Sequence, residues 1–392
     1  GSGSLLKANS GNLTLGTYNT YSGGTTVDGG TLLLGVGGGT GTIRGVLTVN
    51  SGASVDYLAD HTFGWDGGLS VHTLNINGGT VGASGYAQHF YGGGNFTLNM
   101  SGGELIVGKR TGSYGYNPTG TMTVNVAANA AQARISSVSG GALTPDATLT
   151  FNVADGSALA GRTAGASDLL ISAPIDSRGN APTIVKSGAG VAELSAVNRY
   201  PGNTTINQGT LLISGAGSLG GSSGTTYGGS ITLASGASLI INTSTAQLWS
   251  SWIGSSTAGS GSLVQTGSGQ LTLTGNSPFT GITTVETGSV LQIGNNAASG
   301  SLAGTVQIDA GGTLQYLRDN DSGSWTSYVN HSLSGAGTIR FKGRGVQNQN
   351  SYYVSKASPN FTGLAVIEAD ARVGLYTGNG FGTTATIDVQ NL

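Results

Sequence analysis

Residues 6–34 read LKANSGNLTLGTYNTYSGGTTVDGGTLLL, and this stretch returns twice along the chain without a gap. The second copy, residues 185–213, reads VKSGAGVAELSAVNRYPGNTTINQGTLLI, and the third, residues 264–292, reads VQTGSGQLTLTGNSPFTGITTVETGSVLQ. Seven columns are identical in all three copies: Gly11/Gly190/Gly269, Leu15/Leu194/Leu273, Gly23/Gly202/Gly281, Thr25/Thr204/Thr283, Thr26/Thr205/Thr284, Gly30/Gly209/Gly288 and Leu33/Leu212/Leu291. Residues 360–373 resemble a degenerate fourth copy. Such self-similarity predicts a repeat architecture, in which each unit packs on its neighbours.

Apolar and polar residues alternate inside each copy over short runs such as NLTL at 12–15 and TTVD at 25–28. A period of two bounded by Gly, Asn or Asp predicts short β-strands joined by tight turns. The same texture continues between the copies, as in VLTV at 46–49 and TLTF at 148–151. The chain is therefore predicted to be all-β.

Short strands and one repeated unit favour a parallel β-helix, a β-solenoid forming a single elongated rod. We expect each coil to take about 20–25 residues, because neighbouring strands lie about 4.8 Å apart and the chain must circle once between them. The runs TLNINGGT at 73–80 and TLNMSGGE at 97–104 recur after 24 residues, which supports this coil length independently. Inward Val, Leu and Ile would stack from coil to coil, and outward Thr, Ser and Asn would form polar ladders.

The composition limits the possible partners. The 392 residues include 72 Gly and no Cys, only 8% are charged, and the net charge is −2. Without a basic patch, nucleic acid is not an expected partner. Without cysteine, stability must come from stacking and hydrogen bonding rather than from disulfides. No sequence motif indicates a cofactor.

The repeat also predicts how the chain is organised. The sequence Gly-Ser-Gly-Ser at residues 1–4 resembles a cloning remnant. Three β-helix modules follow: residues 5–184 with the first repeat and aromatic insertions, 185–263 with the second repeat, and 264–392 with the third repeat and its degenerate fourth. No signal peptide and no apolar run of about 18 residues is visible, so a piece of a larger protein is expected.

The pattern aromatic-x-Gly-x-Thr-Thr-apolar-x-x-Gly occurs once in each copy. It comprises Tyr21, Gly23, Thr25, Thr26 and Gly30; Tyr200, Gly202, Thr204, Thr205 and Gly209; and Phe279, Gly281, Thr283, Thr284 and Gly288. This pattern resembles the passenger-associated transport repeat of bacterial autotransporters. The resemblance implies a right-handed β-helical passenger, exported through its own C-terminal outer-membrane β-barrel, which would lie outside these 392 residues. It also implies display on the bacterial cell surface, either anchored to the outer membrane or released.

Many relatives of this kind are adhesins or self-associating aggregation factors. The resemblance therefore predicts a non-enzymatic passenger that mediates adhesion, self-association or both. The expected partners are copies of itself on neighbouring cells, or a host or matrix glycan or protein. A passive stalk that displays a functional tip elsewhere in the protein is an alternative.

The four tryptophans fall at one point of the module, shortly after a short strand in each case. They are Trp65, Trp249, Trp252 and Trp325, accompanied by Tyr57, Phe63, Tyr316 and Tyr328. One interpretation is an aromatic flap packed over the side of the solenoid, since large aromatic side chains gain most from burial. The other is an exposed platform that stacks on sugars or anchors a partner.

Residues 86–116 form the densest aromatic and glycine-rich stretch, and they include Tyr86, Phe90 and Tyr91. They are interpreted as a long loop packed on itself, or as part of an adhesive surface.

A β-helical carbohydrate-active enzyme is the alternative from another class. It would need convergent carboxylates, or a carboxylate paired with a cation, on one face. The only carboxylate-rich spots are Asp56/Asp60/Asp66, and Asp319/Asp321 with Arg318 and Arg340. No two histidines have the short spacing of a zinc site. We therefore predict no catalytic residues and no metal site.

Overall fold

The computed structural model describes residues 1–392 except 67–68, 91–94, 109–114, 119, 139, 164, 178, 221–225, 257–259, 320–326, 344–349, 376–379 and 391–392; the side chains of residues 89, 90, 327, 328 and 350 are also not described. The described part consists of short β-strands and irregular segments without a helix. Accordingly, it contains no helix able to cross a membrane. The predicted all-β class is confirmed.

The described residues form forty-one strands of two to eight residues, which follow one another in chain order. From the N-terminus to residue 203 they are β1 Leu5–Lys7, β2 Asn12–Leu15, β3 Thr25–Val27, β4 Gly30–Leu34, β5 Gly45–Asn50, β6 Ala53–Tyr57, β7 Val71–Asn77, β8 Thr80–Val81, β9 Gln88–Phe90, β10 Phe96–Met100, β11 Glu104–Val107, β12 Tyr116–Pro118, β13 Met122–Val126, β14 Ala133–Ser137, β15 Thr148–Val153, β16 Leu169–Ile171, β17 Thr183–Ser187 and β18 Val191–Leu194.

The later strands are β19 Thr204–Ile206, β20 Gly209–Gly215, β21 Thr226–Tyr227, β22 Ile231–Leu233, β23 Ala237–Thr243, β24 Gln247–Trp249, β25 Ile253–Ser255, β26 Ser262–Gln265, β27 Leu271–Leu273, β28 Asn276–Ser277, β29 Ile282–Val285, β30 Val290–Ala297, β31 Ser301–Leu302, β32 Thr305–Ile308, β33 Thr313–Arg318, β34 Ser327–Val329, β35 Ser332–Gly335, β36 Thr338–Phe341, β37 Asn350–Val354, β38 Asn360–Phe361, β39 Leu364–Ile367, β40 Ala371–Leu375 and β41 Thr386–Val389.

Contacts between Cα atoms divide the chain into two compact units, which we call unit 1 (Gly1–Asn203) and unit 2 (Thr204–Leu392). The boundary falls inside the second repeat, directly before its Thr-Thr pair.

Unit 1 is built from two parallel sheets whose strands alternate along the chain. One sheet runs in the order β1-β3-β5-β7-β10-β13-β15-β17 and the other in the order β2-β4-β6-β8-β11-β14-β16-β18. Because the chain visits the two sheets in turn and pairs each strand in parallel with its counterpart one pass later, every pass is one coil of a β-solenoid. The short pair β9 and β12 lies outside the two sheets.

The register of unit 1 explains its core. Thr73 pairs with Thr97 and Leu74 with Leu98, so the two runs singled out in the sequence are neighbouring coils, as predicted. Successive inward partners Leu47, Leu74, Leu98, Val124 and Phe151 are fully buried and lie 24 to 27 residues apart. Apolar stacking from coil to coil therefore provides the core that the alternating pattern indicated.

Unit 2 has three main faces. Its sheets run in the orders β19-β22-β25, β20-β23-β26-β29-β32-β35-β38 and β21-β24-β27-β30-β33-β36-β39-β41. The Thr-Thr strand of the second repeat, β19, is in the first of these sheets, whereas that of the third repeat, β29, is in the second. The third repeat is thus rotated by one face around the coil, a difference that its sequence does not reveal.

The shared repeat columns have structural roles. Thr25, Thr204 and Thr283 point inward and are buried. Gly30, Gly209 and Gly288 have φ angles of 60°, 67° and 79°, in the left-handed region where a Cβ is strained. The glycine column therefore fixes the corner that leads into the following strand.

Candidate binding surfaces

An amide ladder runs along the outward side of β5, β7, β10, β13 and β15 in unit 1. Asn75 Nδ2 donates to Thr48 Oγ1 at 3.1 Å, Asn99 Nδ2 to Asn75 Oδ1 at 2.8 Å, Asn125 Nδ2 to Asn99 Oδ1 at 2.9 Å, and Asn152 Nδ2 to Asn125 Oδ1 at 3.4 Å. An amide has two N–H groups and two oxygen lone pairs. Each ladder asparagine therefore keeps hydrogen-bonding capacity for a partner after bonding to its neighbours.

A groove of about 520 Å³ opens beside the amide ladder, where β10, β13 and β15 end. This volume is within the usual range of ligand-binding clefts. Amide, hydroxyl and carboxylate groups line it together with apolar side chains: Asn77, Asn99, Met100, Ser101, Asn125, Val126, Ala127, Asn152, Ala154, Asp155, Gly188 and Ala189. We call this feature the ladder groove.

A second row of polar contacts adjoins the groove. Asn50 Nδ2 donates to Asp28 Oδ1 at 2.6 Å, and Asn77 Nδ2 donates to Asn50 Oδ1 at 2.9 Å. At the rim, the Ser157 backbone N–H donates to Asp155 Oδ1 at 2.8 Å and lowers the pKa of this carboxyl group. The amide surface is thus bordered by two carboxylates, Asp28 in the second row and Asp155 at the rim.

Of the two interpretations of the tryptophan-containing positions, the exposed platform is wrong for four side chains, which are packed instead. Tyr57, Phe63, Trp249 and Tyr316 are at most 2% exposed. Tyr57 and Phe63 pack edge to face with ring centroids 5.3 Å apart, and burial raises the pKa of Tyr57 well above its usual value. These side chains lie inside the coils because burial removes a large aromatic surface from water, and this stabilises the fold more than exposure in a short loop would.

The other predicted aromatic residues have different surroundings. Trp65 is half-buried, edge to face with His61 at 5.0 Å. Trp252 is 43% exposed. Tyr86 is half-buried. Trp325, Tyr91 and the side chains of Phe90 and Tyr328 lie outside the described part of the chain.

The interpretation of residues 86–116 as one loop is wrong. This stretch contains β9, β10 and β11 and reaches the first residue of β12, and it supplies a complete coil of unit 1. Two ordinary alternating strands, Phe96–Met100 and Glu104–Val107, lie among its many glycines and aromatic residues. Their similarity to the preceding coil is the sequence signal that indicates them.

Several of the candidate catalytic groups have structural partners. Asp56 Oδ1 accepts the backbone N–H of Ser84 at 2.7 Å, and Asp60 Oδ1 accepts that of Ala87 at 2.8 Å. Arg340 forms an ion pair with Glu368 at 3.0 Å, and the buried Arg318 guanidinium donates to the Ala298 carbonyl oxygen. Asp321 lies outside the described residues. Within those residues, no group of three His, Asp or Glu side chains could hold a metal ion.

One column of the repeat carries a role that the sequence analysis missed. Lys186 is buried, and its Nζ donates to the carbonyl oxygens of Ser187 at 3.0 Å and Gly188 at 2.7 Å. Gln265 has the same place in the third copy, and its Nε2 donates to the carbonyl oxygens of Gly267 and Gly269. Burial lowers the pKa of Lys186 to about 8. Only the shared position of a long polar side chain in a buried column could have indicated this carbonyl-capping role.

The fold and the repeated motifs together define the chain as a β-solenoid that carries three copies of one repeat. Comparison with protein families gives three matches to the passenger-associated-transport-repeat model, over residues 5–34, 184–213 and 263–293. These matches confirm the sequence-based resemblance and indicate an autotransporter passenger, which is a secreted or surface-exposed protein. Neither the search of curated proteins nor that of solved structures gave a match.

Proposed function

We propose that this passenger is a non-enzymatic adhesive module that binds other surfaces, including those carrying copies of itself. The single observation that supports the proposal best is the amide ladder. Asn75, Asn99, Asn125 and Asn152 offer neutral donors and acceptors at the strand spacing of about 4.8 Å. A surface with complementary groups at the same spacing can form several hydrogen bonds with it at once.

Weak contacts are sufficient for such a role. A single hydrogen bond contributes about 0.5–1.5 kcal/mol net, so one amide alone gives little affinity. Many linked contacts gain effective concentration, and their combined avidity exceeds the affinity of any one of them. With 8% charged residues and a net charge of −2, long-range repulsion between copies is small. Display of the anchored protein on the cell surface would bring many copies together.

The positions of Asp56, Asp60 and Arg340 support a non-enzymatic role. Each is engaged with a backbone N–H or with an opposite charge that holds a loop or strand in place. A β-helical polysaccharide-cleaving enzyme would instead keep such groups directed at a cleft.

The test is sedimentation velocity over a concentration series, with clumping of cells that display the protein measured in parallel. The wild type should form a concentration-dependent dimer and clump. The variant Asn99→Asp/Asn125→Asp should lose both properties, because facing copies would bring like charges together.

A matched control places the same two charges on a hydroxyl ladder of unit 2. Ser262 donates to Ser238 Oγ at 3.1 Å, and both side chains lie on neighbouring strands. The variant Ser238→Asp/Ser262→Asp should clump like the wild type, and circular dichroism should report the same strand content for all three proteins. A wild type that stays monomeric and does not clump would refute self-association and favour the passive-stalk alternative.

A further inference from the structure

Trp252 differs from the other tryptophans whose side chains the structure describes. Trp249 is buried and Trp65 is half-buried, whereas 43% of the Trp252 surface is accessible to solvent. Its backbone is nevertheless well anchored, because the carbonyl oxygen accepts the Ile231 N–H at 3.1 Å. A large aromatic ring on a fixed backbone, left partly uncovered, offers a flat apolar face on which a ligand can pack.

Strand β25, which begins directly after Trp252, leaves space for the indole ring. Gly254 pairs with Thr232, so it occupies a position whose side chain would point outward. Its backbone is not in the left-handed region, so the conformation does not require glycine. A Cβ at this position would lie 2.5 Å from Cζ3 and 2.9 Å from Cε3 of Trp252. Glycine at position 254 therefore makes room for the ring and sets where it lies.

A cluster of hydroxyl groups starts at the next residue along the strand. Ser255 Oγ lies 2.7 Å from Ser260 Oγ and 3.3 Å from Thr280 Oγ1, and Ser260 and Thr280 also bond to each other. The Ser260–Thr280 contact lies at the solvent-exposed surface. A hydroxyl group both donates and accepts, so such a cluster can exchange hydrogen bonds with the hydroxyl groups of a ligand.

The surroundings of Trp252 carry no charge. The sequence contains no Asp, Glu, Lys, Arg or His from Thr204 to Val285, and the first charged residue of unit 2 is Glu286. The strands next to β25, which are β22 and β28, lie inside this uncharged stretch. Nothing in it would attract an ionic ligand, and a charged ligand would lose hydration without gaining a partner.

We infer that Trp252, Gly254 and the hydroxyl groups of Ser255, Ser260 and Thr280 form a binding site for a neutral saccharide. The C–H face of a pyranose ring packs on the indole, and its hydroxyl groups exchange hydrogen bonds with the cluster. The site deepens the proposed adhesive function by naming a ligand class, and it rests on that function for its biological purpose. It is located in unit 2 and does not use the amide ladder.

The experiment is titration calorimetry with soluble hexasaccharides, supported by quenching of tryptophan fluorescence. The neutral probes are cellohexaose, maltohexaose and chitohexaose, and hyaluronan hexasaccharide is the anionic probe. We expect saturable binding of at least one neutral probe, with an affinity that does not change between low and high salt.

Four variants test the site. Trp252→Ala should weaken binding at least about tenfold, or about 1.4 kcal/mol. Trp252→Phe should retain part of the affinity, because a smaller aromatic face remains. Gly254→Ala should weaken binding by displacing the indole. The matched control is Tyr18→Ala, which removes an aromatic side chain that is 53% exposed in unit 1, and it should bind like the wild type.

Three results would overturn the inference: no neutral probe binds, Trp252→Ala binds as tightly as the wild type, or hyaluronan binds more tightly than every neutral probe. Trp252→Phe guards against a folding artefact, since a folded variant with intermediate affinity excludes general loss of structure. The Asn99→Asp/Asn125→Asp protein should bind the sugar normally. Failure of clumping and failure of sugar binding are therefore separate results.

Discussion

His331 lies in the interior of unit 2 with no exposed surface, and acid should destabilise the protein through it. Its ring stacks on Tyr316 with centroids 6.0 Å apart and an interplanar angle of 15°, and the Tyr316 hydroxyl bonds to His331 Nε2. Burial disfavours the charged imidazolium and lowers the pKa of His331 from 6.5 to about 4. In the unfolded chain this imidazole would titrate near its ordinary value.

The size and direction of the effect follow from these two values. Between pH 6.5 and about 4 the unfolded state binds more protons than the folded state, so the free energy of unfolding falls as the pH falls. The stabilising contribution is complete above about pH 6.5 and lost below about pH 4. One pKa unit corresponds to about 1.4 kcal/mol, which gives a loss of about 3 kcal/mol.

Hydrogen exchange followed by mass spectrometry measures this loss locally, in peptides covering β33 and β36, after correction for the intrinsic pH dependence of exchange. His331→Gln removes the titration but keeps an acceptor for Tyr316, so its stability should fall by about 3 kcal/mol less than that of the wild type between pH 7 and pH 4. The matched control His72→Gln removes an exposed imidazole and should follow the wild type. Parallel pH profiles for wild type and His331→Gln would refute the reasoning.

Three further predictions concern stability and are measured by urea unfolding. Lys186→Leu should lower the free energy of unfolding by about 1–3 kcal/mol, because two carbonyl groups lose their donor. Lys186→Gln should lower it by less, since Gln265 already fills this role in the third repeat. Equal losses for the two variants would contradict the capping role. Gly209→Ala should cost about 1–2 kcal/mol, because its φ of 67° is strained for any residue with a Cβ, and a neutral result would show that the corner relaxes. Arg162→Met should lower the free energy of unfolding by about 3–5 kcal/mol, because Arg162 Nη2 and the Asp168 carboxylate form a buried ion pair at 3.1 Å. A loss of less than about 1 kcal/mol would show that backbone N–H groups alone satisfy the carboxylate.

The sequence by itself determined the strands, the coil length and the class of protein. The alternation of apolar and polar residues, as at 97–100, indicates a half-buried strand from the local sequence alone. The 24-residue spacing to the matching run in the preceding coil is the length of one coil. The glycine column of Gly30, Gly209 and Gly288 marks corners because a left-handed φ is a property of a single residue. These signals are short-range, so they can be seen without the fold.

The tertiary structure alone decided which side of the coil each residue faces. Leu212 is half-buried, whereas its counterpart Leu291 in the third repeat is fully buried. Tyr57 and Trp249 became core while Trp252, three residues beyond Trp249, stayed at the surface. A shift of one residue in register reverses every side chain of a strand, and the register is set by contacts with the next coil, some 25 residues away. No local pattern encodes that choice, because it depends on which neighbouring side chains are already stacked inside.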